Sequence, residues 1–303
     1  MSLTFAKHET FHIREGWLFK GMAAIAESAQ ADTPYNFFLE NDAPERLGMG
    51  RNMVRSLRYW MQATGMAVEQ YEGRSVPRLT EFGELVWKND PYLENEGTLW
   101  LIHYYLSCNR EEATSWYWFF NHFAPVSFSD KQAAEALQNW VITAEPDRRV
   151  AQSSLKKDVA CLLRTYLPDG KGNNPENLLE SPLAQLGVLA QFGEGAQKRY
   201  HWQKADTNRL HPLILLYVLV DRQQKERPSL SEVRLSQVLQ EPMNAGRVFN
   251  LTTAVLTDLI AALNKAYPDL SVRFVRTAGL DQLTLPQVTC AEILTRYYAD
   301  TTF

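Results

Sequence analysis

Between Asp42 and Trp87 the spacing of apolar residues switches from a period of about 3.6 to a period of 2 and back again, which restricts this stretch to two helices, a hairpin and a further helix in that order. Asp42-Ala43-Pro44 supplies a cap and a proline suited to a helix start, and Gly48 and Gly50 suit a tight turn because glycine tolerates positive φ. From Arg51 to Thr64 a second helix gathers Met53, Val54, Leu57, Trp60 and Met61 on one stripe. Gly65 stops it. Met66 to Tyr71 and Val76 to Thr80 then flank a turn at Glu72-Gly73, as the strands of a wing would, and Glu81 to Lys88 closes the unit. This pattern predicts a winged helix-turn-helix. On the second helix Arg51, Arg55, Arg58 and Gln62 share the stripe opposite the apolar one, with Asn52 beside them and Arg74 and Arg78 in the wing. Those residues are the candidate contacts to duplex DNA, against the plainer alternative of a solvated helix face. Six arginines between Asp42 and Thr80 face Asp42, Glu45, Glu69 and Glu72, so grip from this module alone is expected to be modest and salt-sensitive.

A chain of 303 residues with 45% hydrophobic and 12% aromatic content is globular and long enough for two or three domains. Its formal net charge of −4 argues against a protein coated in nucleic acid, so any DNA contact must come from local patches or from charge that partners contribute. Cys108, Cys161 and Cys290 are few, odd in number and scattered, which suggests neither a disulfide framework nor a zinc ribbon and fits a reducing cytoplasm. Lys7, His8 and Glu9 stand where a signal peptide needs an apolar core, and Leu213 to Val220 is too short to span a bilayer. No membrane association is expected.

The fold class expected is mainly α, with winged helix-turn-helix modules and an intervening helical segment. The domain scheme places the first module at 1–95, the helical segment at 96–167, a linker at 168–177 and a C-terminal helical domain at 178–303. Thr98 to Cys108 and Ala113 to Phe123 read as a helical pair so dense in aromatics that consecutive rings cannot share one face, which makes most of them core rather than a platform for unpaired bases. Ser129-Asp130 should cap a helix reaching about Ile142. Ser153-Ser154 should cap another, with Leu155, Val159, Leu162, Leu163 and Tyr166 inward. Its Lys156 and Lys157 are either further phosphate contacts or an ordinary solvated face. Pro168 to Pro175 is rich in breakers and forms the expected linker. Beyond it, helices are predicted over Pro212 to Val220, Ser229 to Gln240 and Thr252 to Ala266, and a hairpin over Val272 to Arg276 and Gln282 to Leu285. That order repeats the first module, with Arg273 and Arg276 as candidate DNA contacts.

His8-Glu9-Thr10-Phe11-His12 matches the H-E-x-x-H zinc pattern. On a helix both histidines would share a face and Glu9 could activate a metal-bound water, which makes His8, Glu9 and His12 the catalytic candidates and His8 and His12 the candidate metal ligands. Against a peptidase stand the lack of a preceding strand and of an obvious third ligand. The remaining alternative for the histidines is a structural or nucleic-acid-contacting role. Nuclease signatures are missing: no Glu-x-Lys and no His-x-Lys occurs anywhere. Gly170-Lys171-Gly172 lacks the strand and the Ser or Thr of a phosphate loop, so no nucleotide cofactor is expected.

The blocks "HETFHIREGWLFKG", "DAPERLGMGRNMVRSLRYW", "LTEFGELVWKNDPYLE", "TLWLIHYYL" and "TSWYWFFNHF", continued by "SSLKKDVACLLRTYLP", "GRVFNLTTAVLTDLIAAL" and "TAGLDQLTL", resemble the SspB-like family of bacterial unknown-function domains, components of single-strand DNA phosphorothioation defence systems. The resemblance covers nearly the whole chain. It implies work alongside a cysteine desulfurase, an ATP pyrophosphatase related to PAPS reductase and an ATPase, and nicking of one DNA strand before sulfur insertion. For a nickase, Mg²⁺ or Mn²⁺ would be the expected cation, and a homodimer is a further expectation. The rival reading is a non-catalytic winged-helix subunit, for specificity or for transcriptional regulation, for which the same arginines suffice.

Overall fold

The computed structural model describes residues 3–71, 73–168, 180–205, 208–277 and 280–301. The chain is mainly helical, as its sequence predicts. Its first half runs α1 (Trp17–Ala29), α2 (Ala43–Leu47), α3 (Arg51–Ala63), β1 (Ala67–Tyr71), β2 (Ser75–Leu79), α4 (Glu81–Asn89), α5 (Glu96–Cys108), α6 (Thr114–His122), α7 (Asp130–Ala144) and α8 (Gln152–Tyr166). Its second half runs β3 (Leu189–Phe192), β4 (Arg199–Trp202), α9 (Pro212–Glu226), β5 (Glu232–Arg234), α10 (Leu235–Gln240), α11 (Ala245–Val248), α12 (Thr253–Ala266), β6 (Arg273–Thr277), β7 (Leu280–Thr284) and α13 (Cys290–Thr301). Apart from Pro168, the expected linker at 168–177 lies outside the described residues.

The element order expected between Asp42 and Trp87 is present, with local differences. Gly48 takes a left-handed φ of 61° after α2, whereas Gly50 is extended and occupies the cap position of α3. Asp42 stands at the cap of α2 without a side-chain capping bond. β1 and β2 pair antiparallel from Ala67↔Leu79 to Tyr71↔Ser75. Gly83 in α4 is required by contact: a Cβ there would lie 2.0 Å from the Met66 carbonyl oxygen, so only glycine lets α4 close on the start of the hairpin.

Two helix starts differ from expectation. Ser153 and Ser154 lie inside the first turn of α8, which begins one residue earlier behind Ala151, while the predicted inward residues Leu155, Val159, Leu162, Leu163 and Tyr166 are all buried. The single helix expected from Ser229 to Gln240 is split. Glu232–Arg234 forms β5 instead, because it finds a partner in β7, and only Leu235–Gln240 is helical. The resulting sheet has the antiparallel order β5-β7-β6. Ser129, by contrast, caps α7 as expected, with a reciprocal bond through Gln132.

α5 is buried from Gly97 to Tyr104, which explains why apolar residues surround it rather than forming a stripe. Trp100, Trp116 and Trp118 are core, at 1%, 1% and 2% exposure, so the aromatic pair is a packing element and not a base platform. Polar groups on α5 tie the two halves of the chain together. Gly97 N donates to Tyr297 Oη at 3.0 Å, Trp100 Nε1 to the Arg209 carbonyl at 3.1 Å, and Tyr104 Oη to Asp221 Oδ2 at 2.5 Å. The imidazole of His103 bridges Tyr166 Oη and the Val248 carbonyl, each at 2.8 Å. Among the described residues no single helix is long and apolar enough to cross a membrane.

Candidate nucleic-acid interface

α3 buries Val54, Leu57, Trp60 and Met61 and turns the opposite face outward. Arg51, Asn52 and Arg55 are exposed there. Arg51 and Arg55, but not Asn52, border an open cleft of about 500 Å³, walled by α3, by the N-terminal turn at Lys7 and Glu9, and by Glu40 and Asn41 ahead of α2. Val54 and Tyr59 form its floor; burial pushes the Tyr59 hydroxyl well above its ordinary range, so it stays a neutral phenol. Arg51 and Arg55 have no hydrogen-bond or ion-pair partner among the described residues.

Arg58 is different. Its Nε donates to Glu69 Oε1 at 2.5 Å and its Nη2 to Glu69 Oε2 at 2.6 Å, joining α3 to β1. Glu69 also accepts from Gln62 Nε2 at 3.2 Å and from the Ser75 hydroxyl. Burial alone would raise the Glu69 carboxyl, but the hydrogen bonds from Arg58 and Ser75 and the guanidinium charge outweigh it and hold the group below its ordinary range. The stripe thus offers two uncommitted guanidiniums and one that braces the hairpin. In that hairpin Arg74 donates to the Pro34 carbonyl, and Arg78 lies half-buried opposite Val68.

The other candidates are dispersed. Lys156 and Lys157 are exposed on α8, and Arg273 is exposed on β6, none of them lining the α3 cleft. Arg276 belongs to β6, and its side chain lies outside the described residues. Sequence reasoning did not select Lys7, Glu40, Asn41 or Glu112 for this cleft, because they come from three separate segments and carry no periodic signal.

The H-E-x-x-H segment is a non-helical turn, with Glu9 and Thr10 at φ of 50° and 68°, so the helical alignment expected of His8 and His12 is not formed. His8 is 1% exposed and its Nε2 lies 2.9 Å from Asp158 Oδ1, while its Nδ1 accepts from Thr10 N at 3.1 Å. The same carboxylate accepts from Ala6 N at 2.7 Å and from the Ser115 hydroxyl at 2.5 Å. His8 also stacks on Trp60, with centroids 6.2 Å apart. This constellation anchors the N-terminal segment to α6, α8 and α3. His12 is buried as well, and Glu9 reaches the cleft from the turn. Among the described residues no group of three or more His, Cys, Asp or Glu side chains is gathered as a metal centre requires. His8, Glu9 and His12 therefore do not fit a divalent cation together.

A family model of proteins of unknown function, DUF4007, matches residues 5–298. The chain belongs to the DUF4007 family. No curated protein sequence matches this DUF4007 chain. Two solved structures are similar to it over 98% of its length and 88% of theirs. One is a magnesium ion-bound SspB crystal structure, 27% identical with a TM-score of 0.85, and the other an SspB crystal structure, 28% identical with a TM-score of 0.82. The likeness to SspB expected from the sequence blocks thus extends over nearly the whole chain.

Proposed function

We propose that this protein is the DNA-binding component of a phosphorothioate modification and phage-defence system, holding duplex DNA against α3 in the cytoplasm. The observation that carries the reading is the pair of exposed guanidiniums, Arg51 and Arg55, one helical turn apart at the rim of an open cleft. Supporting it are the order α2, α3, hairpin, α4, which suits a winged helix-turn-helix with α3 in the major groove, and the likeness to SspB. In this reading the cysteine desulfurase, the ATP pyrophosphatase and the ATPase are its working partners. Strand nicking is the activity that the resemblance adds.

The test is anisotropy on a labelled duplex at two salt concentrations. Arg51→Ala/Arg55→Ala should lose about 1 to 3 kcal/mol per contact and flatten the salt slope by about 2, with an unchanged melting temperature because both side chains are exposed. Unchanged affinity at both salts would refute the interface. Incubating the wild type with supercoiled plasmid and Mg²⁺ or Mn²⁺ separates the nickase from the rival specificity subunit or regulator, which binds without cutting.

A further inference from the structure

A second open cleft, of about 490 Å³, lies between residues 3–5 and the turn that leads into α8. Lys7 lines this cleft as well as the α3 cleft, so the two adjoin at this residue. No carboxylate lines the second cleft, whereas Glu9, Glu40 and Glu112 line the first. Its cations are Lys7, Arg148 and Arg149. Arg148 braces the wall: its Nη1 lies 3.3 Å from Glu145 Oε2, its Nη2 donates to the Leu3 carbonyl, and its guanidinium sits over Phe5. Lys7 and Arg149 are exposed, and among the described residues neither charged head has a hydrogen-bond or ion-pair partner.

The ridge that carries Lys7 is fixed. Thr4 N donates to Thr114 Oγ1 at 2.8 Å and Ala6 N to Asp158 Oδ1 at 2.7 Å, so the ammonium projects from backbone bonded to α6 and α8 on its N-terminal side. On its other side His8 is bonded to the same Asp158.

We infer that the DNA backbone held at α3 runs on over Lys7 into this second cleft, where its phosphates meet Lys7 and Arg149; the inference rests on the DNA-binding reading above. A broad, open concavity with cationic edges and no acidic lining suits a spread polyanion, which needs several separated positive charges rather than an enclosing pocket. The carboxylates of the first cleft repel a backbone that stays within it, and Lys7 leads it toward a cleft whose lining holds cations and no carboxylate. The buried His8–Asp158 contact thereby acquires a purpose at the surface, because it sets the position of the ridge between the two clefts.

Arg149→Glu is compared with wild type and with Arg51→Ala/Arg55→Ala on duplexes of about 10 and about 25 base pairs, roughly one and two and a half turns of the helix. Arg149→Glu should weaken the longer duplex about fivefold or more at low salt and lower its salt slope by about 1, while leaving the shorter duplex and the melting temperature unchanged. Equal affinity of Arg149→Glu and wild type for the longer duplex, with the α3 variant still impaired, would overturn the extended track alone. Loss of effect in both variants would overturn the DNA-binding reading beneath it.

Discussion

Arg58 on α3 holds Glu69 on β1 through two hydrogen bonds, Nε to Oε1 and Nη2 to Oε2, across the turn at Gly65. A forked guanidinium facing a carboxylate fixes orientation as well as distance, so this pair sets the angle between the helix that would enter a groove and the hairpin beside it. It also cancels one of the three arginine charges on the stripe.

Glu69→Gln should therefore have two opposite effects. The Glu69 carboxyl lies below its ordinary range in the folded state, so its contribution to stability is present above the unfolded carboxyl pKa and is lost as pH falls through the lowered folded value. The variant should be about 1 kcal/mol less stable than wild type at pH 7, with the gap closing in acid, as urea titrations at pH 7 and pH 3 will show. It should also bind DNA more tightly, because a neutral amide no longer offsets the Arg58 charge. Weaker binding by a folded Glu69→Gln would mean that hairpin orientation matters more than the freed guanidinium.

His8 and Glu9 stand side by side in the sequence but have separate structural roles. His8→Ala removes a buried hydrogen bond to Asp158 and a ring stacked on Trp60, and should lose about 2 to 4 kcal/mol of stability. Glu9→Gln, on a partly exposed side chain in the cleft, should melt within about 0.5 kcal/mol of wild type. Urea melts of both variants decide the matter; a His8→Ala protein as stable as wild type would remove the anchor from the account.

A third expectation concerns acid. Burial pushes the His103 imidazole down to about 4, against the opposing hydrogen bond to the Val248 carbonyl, so the folded protein keeps it neutral where the unfolded chain protonates it. The stability due to this lowered pKa is complete above the ordinary histidine value and falls as pH drops from there toward 4, by about 3 kcal/mol in all. His122 and His211, also lowered by burial, add to the same slope. His103→Gln should start less stable at pH 7, since it loses bonds to Tyr166 and Val248, yet show a shallower decline toward pH 4 in chemical denaturation. A decline as steep as that of wild type would assign the acid limb to other groups.

The helices and the first hairpin were legible in the sequence wherever a repeating pattern met a clear boundary. α3 stops at Ala63, two residues before the left-handed Gly65, Ser129 caps the start of α7, and Thr252 caps α12, its hydroxyl accepting from Val255 N. Local propensity and apolar period act within a few turns, so these elements need no knowledge of the rest of the chain. The three residues of β5 were not legible as a strand, because a segment that short is fixed by pairing with β7 rather than by its own composition. Likewise the H-E-x-x-H letters would align both histidines only on a helix, whereas the chain path bends them through left-handed φ values to reach Asp158, 150 residues beyond His8.

The same division runs through the candidate site. Sequence alone determined that Arg51, Arg55 and Arg58 share one face of a helix, since that follows from 100° per residue. Only the tertiary structure decided that Arg58 is committed to Glu69, that Arg51 and Arg55 remain open to solvent, and that Lys7 stands between two clefts. The physical reason is that a face is a property of local backbone geometry, whereas the partner of a charge depends on which distant segment folding brings within a few ångströms of it, and that distance is not encoded by spacing along the chain.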